Sequence, residues 1–225
     1  MVARHVGGGF DVLADGDNAL LFLPEKRLPE WRTAIVEVTA KAGFEMTIEQ
    51  PTSDVRRVVF GQASPFLAGD RWTMVREPFK VLSHAAAGYT HYGNMVGGAR
   101  VLKSVAYCEA VLNAGVPILQ EYAHALLKAT AHVTFSKAEP EDYQYRQILA
   151  RGVSWAAARR VHVTERMRLD FSESFGIDPE AQIRMEKVLS AGIKLPSNWD
   201  GVPLDDPRDI RDPDTLPHDV MGNLL

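Results

Sequence analysis

The run Phe10–Pro24, FDVLADGDNALLFLP, is two apolar stretches separated by four polar residues, Asp15-Gly16-Asp17-Asn18. Apolar runs of strand length around a tight Asp/Gly/Asn turn specify a β-hairpin, because those residues adopt the backbone angles that reversal demands. The turn also gathers two carboxylates and an amide at the tip of a ribbon expected to be largely buried. Oxygen donors presented where the chain reverses suit a hard divalent cation such as Mg²⁺. Taken alone, an Asp-Gly-Asp-Asn turn is most often only a solvated hairpin tip.

Downstream segments supply the context. AGFEMTIEQPTSD spans Ala42–Asp54, VRRVVFGQASPF spans Val55–Phe66, and GDRWTMVREPFKVLS spans Gly69–Ser83. CEAVLNAGVPILQEYAHALLKA (Cys108–Ala129) and FGIDPEAQIRMEKVL (Phe175–Leu189) follow. The hydrophobic-Gly-Asp-Asn-hydrophobic pattern resembles motif C of viral RNA-directed RNA polymerases. The next two segments are similar to motifs D and E, and the last three to the approach and helices of the thumb in tombusvirus-like members. The resemblance runs from Phe10 to about Leu189, and its specificity lies in the order of the series.

That resemblance implies an α+β chain. It places a partial palm with motifs C, D and E at 1–78, a helical thumb at 79–194 and a Pro/Asp-rich tail at 195–225. It implies template-directed nucleotidyl transfer with Mg²⁺ or Mn²⁺, RNA template and product, and nucleoside triphosphates, in a replication complex of the host cytoplasm. Asp17 is the expected metal ligand and catalytic residue, with Asn18 beside it where most positive-strand polymerases carry a second aspartate. Asp15 is either a further ligand or a turn residue bonded to its own backbone, the latter being favoured. For RNA or nucleotide the motif E candidates are Gln62 and Ser64, and Arg71, Arg76 and Lys80 could meet phosphate, though charged strand-edge residues are as often only solvated. The Arg56-Arg57 and Arg159-Arg160 pairs are weaker candidates. The lysine that motif D usually offers as a general acid has no counterpart, since Glu45 stands near its place and Lys41 falls on a helix.

Motif A, with its D-x₄-D ligand, and motif B are not found before motif C, where only a short leader ending Gly7-Gly8-Gly9 stands. Asp200 and Asp205 have the motif A spacing but sit in the tail without strand context. The chain is therefore expected to need a second polymerase chain bearing fingers and motifs A and B, or to be an inactive truncated piece. A third reading is a non-catalytic RNA- or protein-binding module that retains the fold.

Composition narrows the class. The chain has 225 residues, 46% of them hydrophobic, enough for an ordinary core in one or two domains. No apolar stretch approaches the roughly 20 residues that cross a bilayer, and the N-terminus lacks a secretory pattern. A net charge of −4 argues against a generally basic coat, while leaving room for a local basic channel. The single cysteine, Cys108, lies on an apolar stripe and is expected in the core of a protein from a reducing compartment.

Local patterns give the elements. Pro29 opens and Gly43 closes a helix with Trp31, Ile35 and Val38 on one face. Phe44–Glu49 alternates as a half-buried strand would, and Val55–Phe60 with Arg71–Val75 reads as a second hairpin around Pro65–Gly69. Helices are expected along Val101–Leu112, from Pro117 through Leu126, around Tyr143–Met167 and at Pro179–Leu189. Glu121-Tyr122-Ala123-His124 has the E-x-x-H spacing of di-iron bundles, but no second copy accompanies it. His84, His91 and His132 lack zinc spacing.

Overall fold

A computed structural model describes residues 2, 6–86, 95–133 and 155–194, and divides the chain into two compact units, Met1–Ala63 and Ser64–Leu225. The described residues mix helix with two small antiparallel hairpins, as an α+β chain requires.

In the first unit, β1 (Asp11–Asp15) pairs with β2 (Asn18–Phe22), with Asp15 opposite Asn18 and Leu13 opposite Leu20. Gly16 takes φ +59 while Asp17 does not, so glycine occupies the first central position of the turn. That is the type II′ requirement, and it matches the twist of the flanking strands. The ribbon is not buried, contrary to the sequence expectation. β1 is exposed along its whole length, and Val12, Leu13 and Phe22 face solvent. Two strands alone have two edges and no covering layer, so alternation has no interior to point toward.

α1 (Leu28–Lys41) follows, with Pro29 in its first turn and Gly43 at φ +82 just beyond its end. Proline loses nothing where N–H groups are unbonded anyway, and glycine adopts the left-handed angle at no steric cost. Trp31 and Ala34 are its buried residues, and the Phe10 ring lies 4.8 Å from that of Trp31. The Arg27 guanidinium donates to the carbonyls of Val6, at 2.9 Å, and Gly8, which ties the leader to this helix.

The strand expected at Phe44–Glu49 is absent. These residues have no regular structure, and Phe44 and Met46 are exposed. A period-two pattern forms a strand only against a partner, and none pairs with it here. Val55–Arg57 is a single 3₁₀ turn rather than a strand, capped by the Asp54 carboxylate on the Arg56 N–H. The second hairpin instead joins β3 (Ala63–Ala68) to β4 (Arg71–Arg76), turning at Gly69-Asp70. Pro65 thus lies inside a strand, which a two-stranded ribbon tolerates because every strand is an edge.

In the second unit α2 (Pro78–His84), α3 (Met95–Leu112), α4 (Leu119–Ala129), α5 (Glu165–Phe175) and α6 (Pro179–Ala191) follow β4. α4 is central, packing on α3, α2 and α6. Its buried Leu119, Tyr122 and Leu126 join Phe66, Val75 and Phe171 in one core. Phe66 and Phe171 meet edge to face, ring centroids 5.8 Å apart. Burying such side chains supplies about 1.5–3 kcal/mol each before cavity terms. Cys108 is fully buried on α3 with Val105 and Tyr107, as the stripe requires.

Helix ends follow local chemistry. Thr164 caps α5 and Asp178 caps α6, each accepting an N–H three residues on. α4 begins at Leu119 rather than Pro117, because Ile118 takes φ +65 and cannot be helical. The helical pattern around Tyr143–Met167 is only partly inside the described residues. There it resolves into a 3₁₀ turn at Trp155–Ala158, six residues without regular structure, and α5 starting at Glu165. Tyr143 and the tail from Leu195 lie outside them. Among the described residues no helix is long and apolar enough to cross a membrane.

Candidate functional site

The hairpin turn brings three of the expected residues together. Asp15, Asp17 and Asn18 are exposed at the tip, where Asn18 Nδ2 donates to Asp17 Oδ1 at 3.0 Å. The side-chain amide thereby orients one carboxylate oxygen while solvent reaches the other. Two carboxylates and an amide oxygen suit a hard cation as part of a seat, since Mg²⁺ retains waters and takes only one or two carboxylates from any one element. Among the described residues no group of three or more His, Cys, Asp or Glu gathers to close such a seat.

Gln62 is placed by strain. Phe60 and Ala63 exchange backbone hydrogen bonds of 2.9 and 3.1 Å around Gly61 and Gln62, whose φ angles are +58 and +61. Both central residues of a type I′ turn need positive φ. A glutamine there pays about 1–2 kcal/mol of backbone strain. Its side chain is thereby held, exposed, at a turn tip.

The remaining candidates belong to the second unit. Ser64 is buried on β3, so its hydroxyl faces the packed side of the ribbon. Arg71 and Lys80 are exposed at the start of β4 and on α2. Arg76, at the end of β4, forms an ion pair with Glu109 of α3. The Glu109 side chain is 0% exposed, and its other oxygen accepts from Asn113 Nδ2 at 2.8 Å. Arg76 is therefore part of the fold whatever else it meets. Arg56 is likewise engaged, by Asp54, whose carboxyl it holds below the usual carboxylate range.

Several polar residues gave no signal in the sequence. Gln120, buried on α4, accepts the Gly115 and Val161 N–H groups at 2.8 Å each and donates to Val161 O at 3.0 Å. Arg168 of α5 makes a two-pronged pair with Glu186 of α6 at 2.9 and 2.7 Å, and Glu186 also accepts the Ile118 N–H at 2.9 Å. Glu121 pairs with Arg160. These groups line a cleft of 310 Å³ between α4, residues 160–163, α5 and α6. Glu121 is thus committed to an arginine, which removes it from the E-x-x-H pattern. His124 is half-buried one turn on, its proton affinity lowered first by burial and then by Arg160, against a smaller opposing effect of Glu121. His84 is bonded to Ser83, 2.6 Å away. The one signal available in sequence was Glu109, an acid set among apolar α3 residues.

The sequence matches the family model described as viral RNA dependent RNA polymerase over residues 1–192. It is 25% identical over 177 residues to the RNA-directed RNA polymerase of carnation mottle virus, covering 78% of this chain and 23% of that protein. With the turnip crinkle virus enzyme it is 26% identical over 190 residues, 84% of this chain and 24% of the relative. With that of tobacco necrosis virus strain A it is 24% identical over 188 residues, 81% and 25% respectively. The chain thus spans about a quarter of the length of these curated relatives. No solved structure matches it. A match over more than four-fifths of the chain makes this chain a member of the viral RNA-dependent RNA polymerases.

Proposed function

We propose that this chain is the motif C to thumb portion of a viral RNA-directed RNA polymerase, with residues 1–78 a partial palm, 79–194 the thumb and 195–225 a C-terminal tail. The observation that carries this is the hairpin of β1 and β2, which lifts Asp17 to an exposed turn inside a region that matches the family throughout. The relatives' printed name, RNA-directed RNA polymerase, supports the reaction class.

Each tip residue has a role in this reading. Asp17 presents its carboxylate to Mg²⁺ or Mn²⁺. A bound divalent ion supplies charge neutralisation at the transferring phosphoryl group and acidifies the attacking 3′-hydroxyl. Asn18 holds the Asp17 carboxylate by its amide and adds an uncharged oxygen donor, which weakens the seat relative to a second aspartate. Asp15 flanks the seat. Gln62 faces primer or initiating nucleotide from its exposed turn, Ser64 supports motif E from the packed side of β3, and Arg71, Arg76 and Lys80 meet RNA phosphate. The acids of motif A, and motif B with them, come from outside these 225 residues, from a second polymerase chain or from more of the same polypeptide. Their palm strand covers the exposed ribbon of β1 and β2. Template, product and triphosphates are the partners, in a viral replication complex of the host cytoplasm.

The experiment is complementation. The full chain is mixed with a polypeptide bearing fingers and motifs A and B, together with template, nucleotides and Mg²⁺ or Mn²⁺. Extension is expected, abolished by Asp17→Ala by at least about a hundredfold, the scale on which charge-stabilising groups act. Asn18→Asp should retain extension with a changed Mg²⁺/Mn²⁺ preference. Extension by the Asp17→Ala protein at the parental rate would overturn the assignment.

A further inference from the structure

Residues 195–225 carry seven aspartates against two arginines and no lysine or glutamate, a net −5 that exceeds the −4 of the whole chain. The other 194 residues sum to +1. The family match stops at residue 192, so the acidic stretch lies beyond it.

The element that leads into it has an unpartnered face. α6 turns Gln182 and Leu189 into the core, while Ile183 and Val188 are 52% and 67% exposed. Arg184 and Lys187 share that outward arc, since positions three and four apart are neighbours on a helix, and both are exposed. Lys194 stands exposed just beyond the helix. The one acid on the arc, Glu180, lies 3.6 Å from Arg184 with both side chains mostly in solvent, a weak pair. The arc thus combines two exposed aliphatic side chains with a net positive charge.

We propose that residues 195–225 dock on this arc of α6, their aspartates against Arg184 and Lys187 and their Leu204 and Ile210 against Ile183 and Val188. Charge complementarity selects this occupant: the stretch carries a net −5, with Asp205-Asp206 directly after Leu204 and Asp209 and Asp212 near Ile210, against only Arg208 and Arg211. Reach permits it. Arg184 lies roughly 10 Å of helical rise before the end of α6 at Ala191, and the eleven residues from Lys194 to Asp205 can extend about 36 Å. The contact neutralises the arc and covers its apolar residues, so a polyanion such as RNA must displace the tail to touch α6. The inference does not rest on the polymerase reading, because it concerns only α6 and the tail.

The test is zero-length carbodiimide crosslinking of the full chain, read by mass spectrometry, in an equal mixture of unlabelled and ¹⁵N-labelled protein. Lys187 is the reporter, Lys194 being too near the tail in sequence to inform. Amide bonds from Lys187 to Asp205, Asp206, Asp209 or Asp212 within one isotopic chain are expected. Arg184→Glu should lower their yield several-fold, as should about 0.5 M NaCl, where screening is short-ranged. Absence of these bonds at low salt would overturn the proposal, as would mixed-isotope bonds, which would make the occupant a second copy. A polyuridine oligonucleotide that shields Lys187 equally well before and after Asp→Asn changes at 205, 206, 209 and 212 would make RNA the occupant and overturn it too.

Discussion

Gln120 and Val161 bond to each other twice, side-chain amide to backbone, 41 residues apart: Oε1 accepts the Val161 N–H at 2.8 Å and Nε2 donates to its carbonyl at 3.0 Å. The glutamine imitates a strand partner, satisfying a stretch that has no sheet to join. Its Oε1 also takes the Gly115 N–H. Gln120→Ala would leave two N–H groups and one carbonyl without their partners, each costing about 1–3 kcal/mol where water cannot substitute. A loss of about 3 kcal/mol in urea unfolding is expected, with the m-value unchanged. A loss below about 0.5 kcal/mol would mean that water fills the place.

Arg76 and Arg71 end and begin the same strand but do different work. Removing Arg76 leaves the Glu109 carboxylate buried with one partner fewer. Breaking a fully buried pair from one side costs about 3–5 kcal/mol; the Arg76 side chain is 43% exposed, so Arg76→Ala should cost less, about 1–3 kcal/mol in chemical denaturation. Arg71 is exposed, so Arg71→Ala should stay within about 0.5 kcal/mol. If Arg71 meets RNA, its loss should instead lower the salt slope of single-strand binding by about 0.7 per phosphate. Equal destabilisation by the two changes would show that the Glu109 pair contributes nothing to the fold.

The Arg168–Glu186 pair invites a different comparison. Both side chains are largely covered, at 16% and 14% exposed, and Glu186 also holds the N–H of Ile118, a branched residue at φ +65. Glu186→Ala should therefore cost more than Arg168→Ala, because it strands an arginine and a backbone N–H at a strained corner. Arg168→Ala and Glu186→Ala together should cost less than the sum of the two single changes by about 1 kcal/mol or more, as uncompensated charge disappears. Thermal unfolding of the three variants checks the order. Strict additivity would show that the pair is not coupled.

What the sequence reveals follows from how local each cause is. The Asp15–Asn18 turn, the Pro29 start and Gly43 stop of α1, and the Asp178-Pro179 opening of α6 are set by residues adjacent to the event, and all stand in the structure where the sequence places them. Phe44–Glu49 was misleading because alternation states a preference for a face, and the face must come from a partner that these residues lack. Pro65 reads as a turn in isolation but is harmless on an edge. The candidate tip could be read residue by residue. Gln120, Glu186 and Arg168 could not, since a polar residue bonded across 18, 41 or 68 positions looks like any solvated one until the chain has folded.

His124 gives a pH dependence whose sign is fixed by geometry. Its Nε2 is enclosed without a hydrogen-bond partner among the described residues, and Arg160 lies close enough to oppose a second positive charge, only partly offset by Glu121. The folded state therefore binds a proton less readily than the unfolded chain, whose histidine has the ordinary value of about 6.5. Stability from this group is complete above that value. It declines as pH falls through it toward the lower folded value, because only the unfolded state is then gaining protons. The urea midpoint should thus drop between about pH 7 and pH 5, and His124→Gln should flatten that drop while leaving other titrations in place. Arg160→Gln should raise the folded value and shrink the decline. Parallel midpoint curves for the parent and His124→Gln across this range would show that the imidazole titrates alike in both states, and the enclosed environment inferred for it would be wrong.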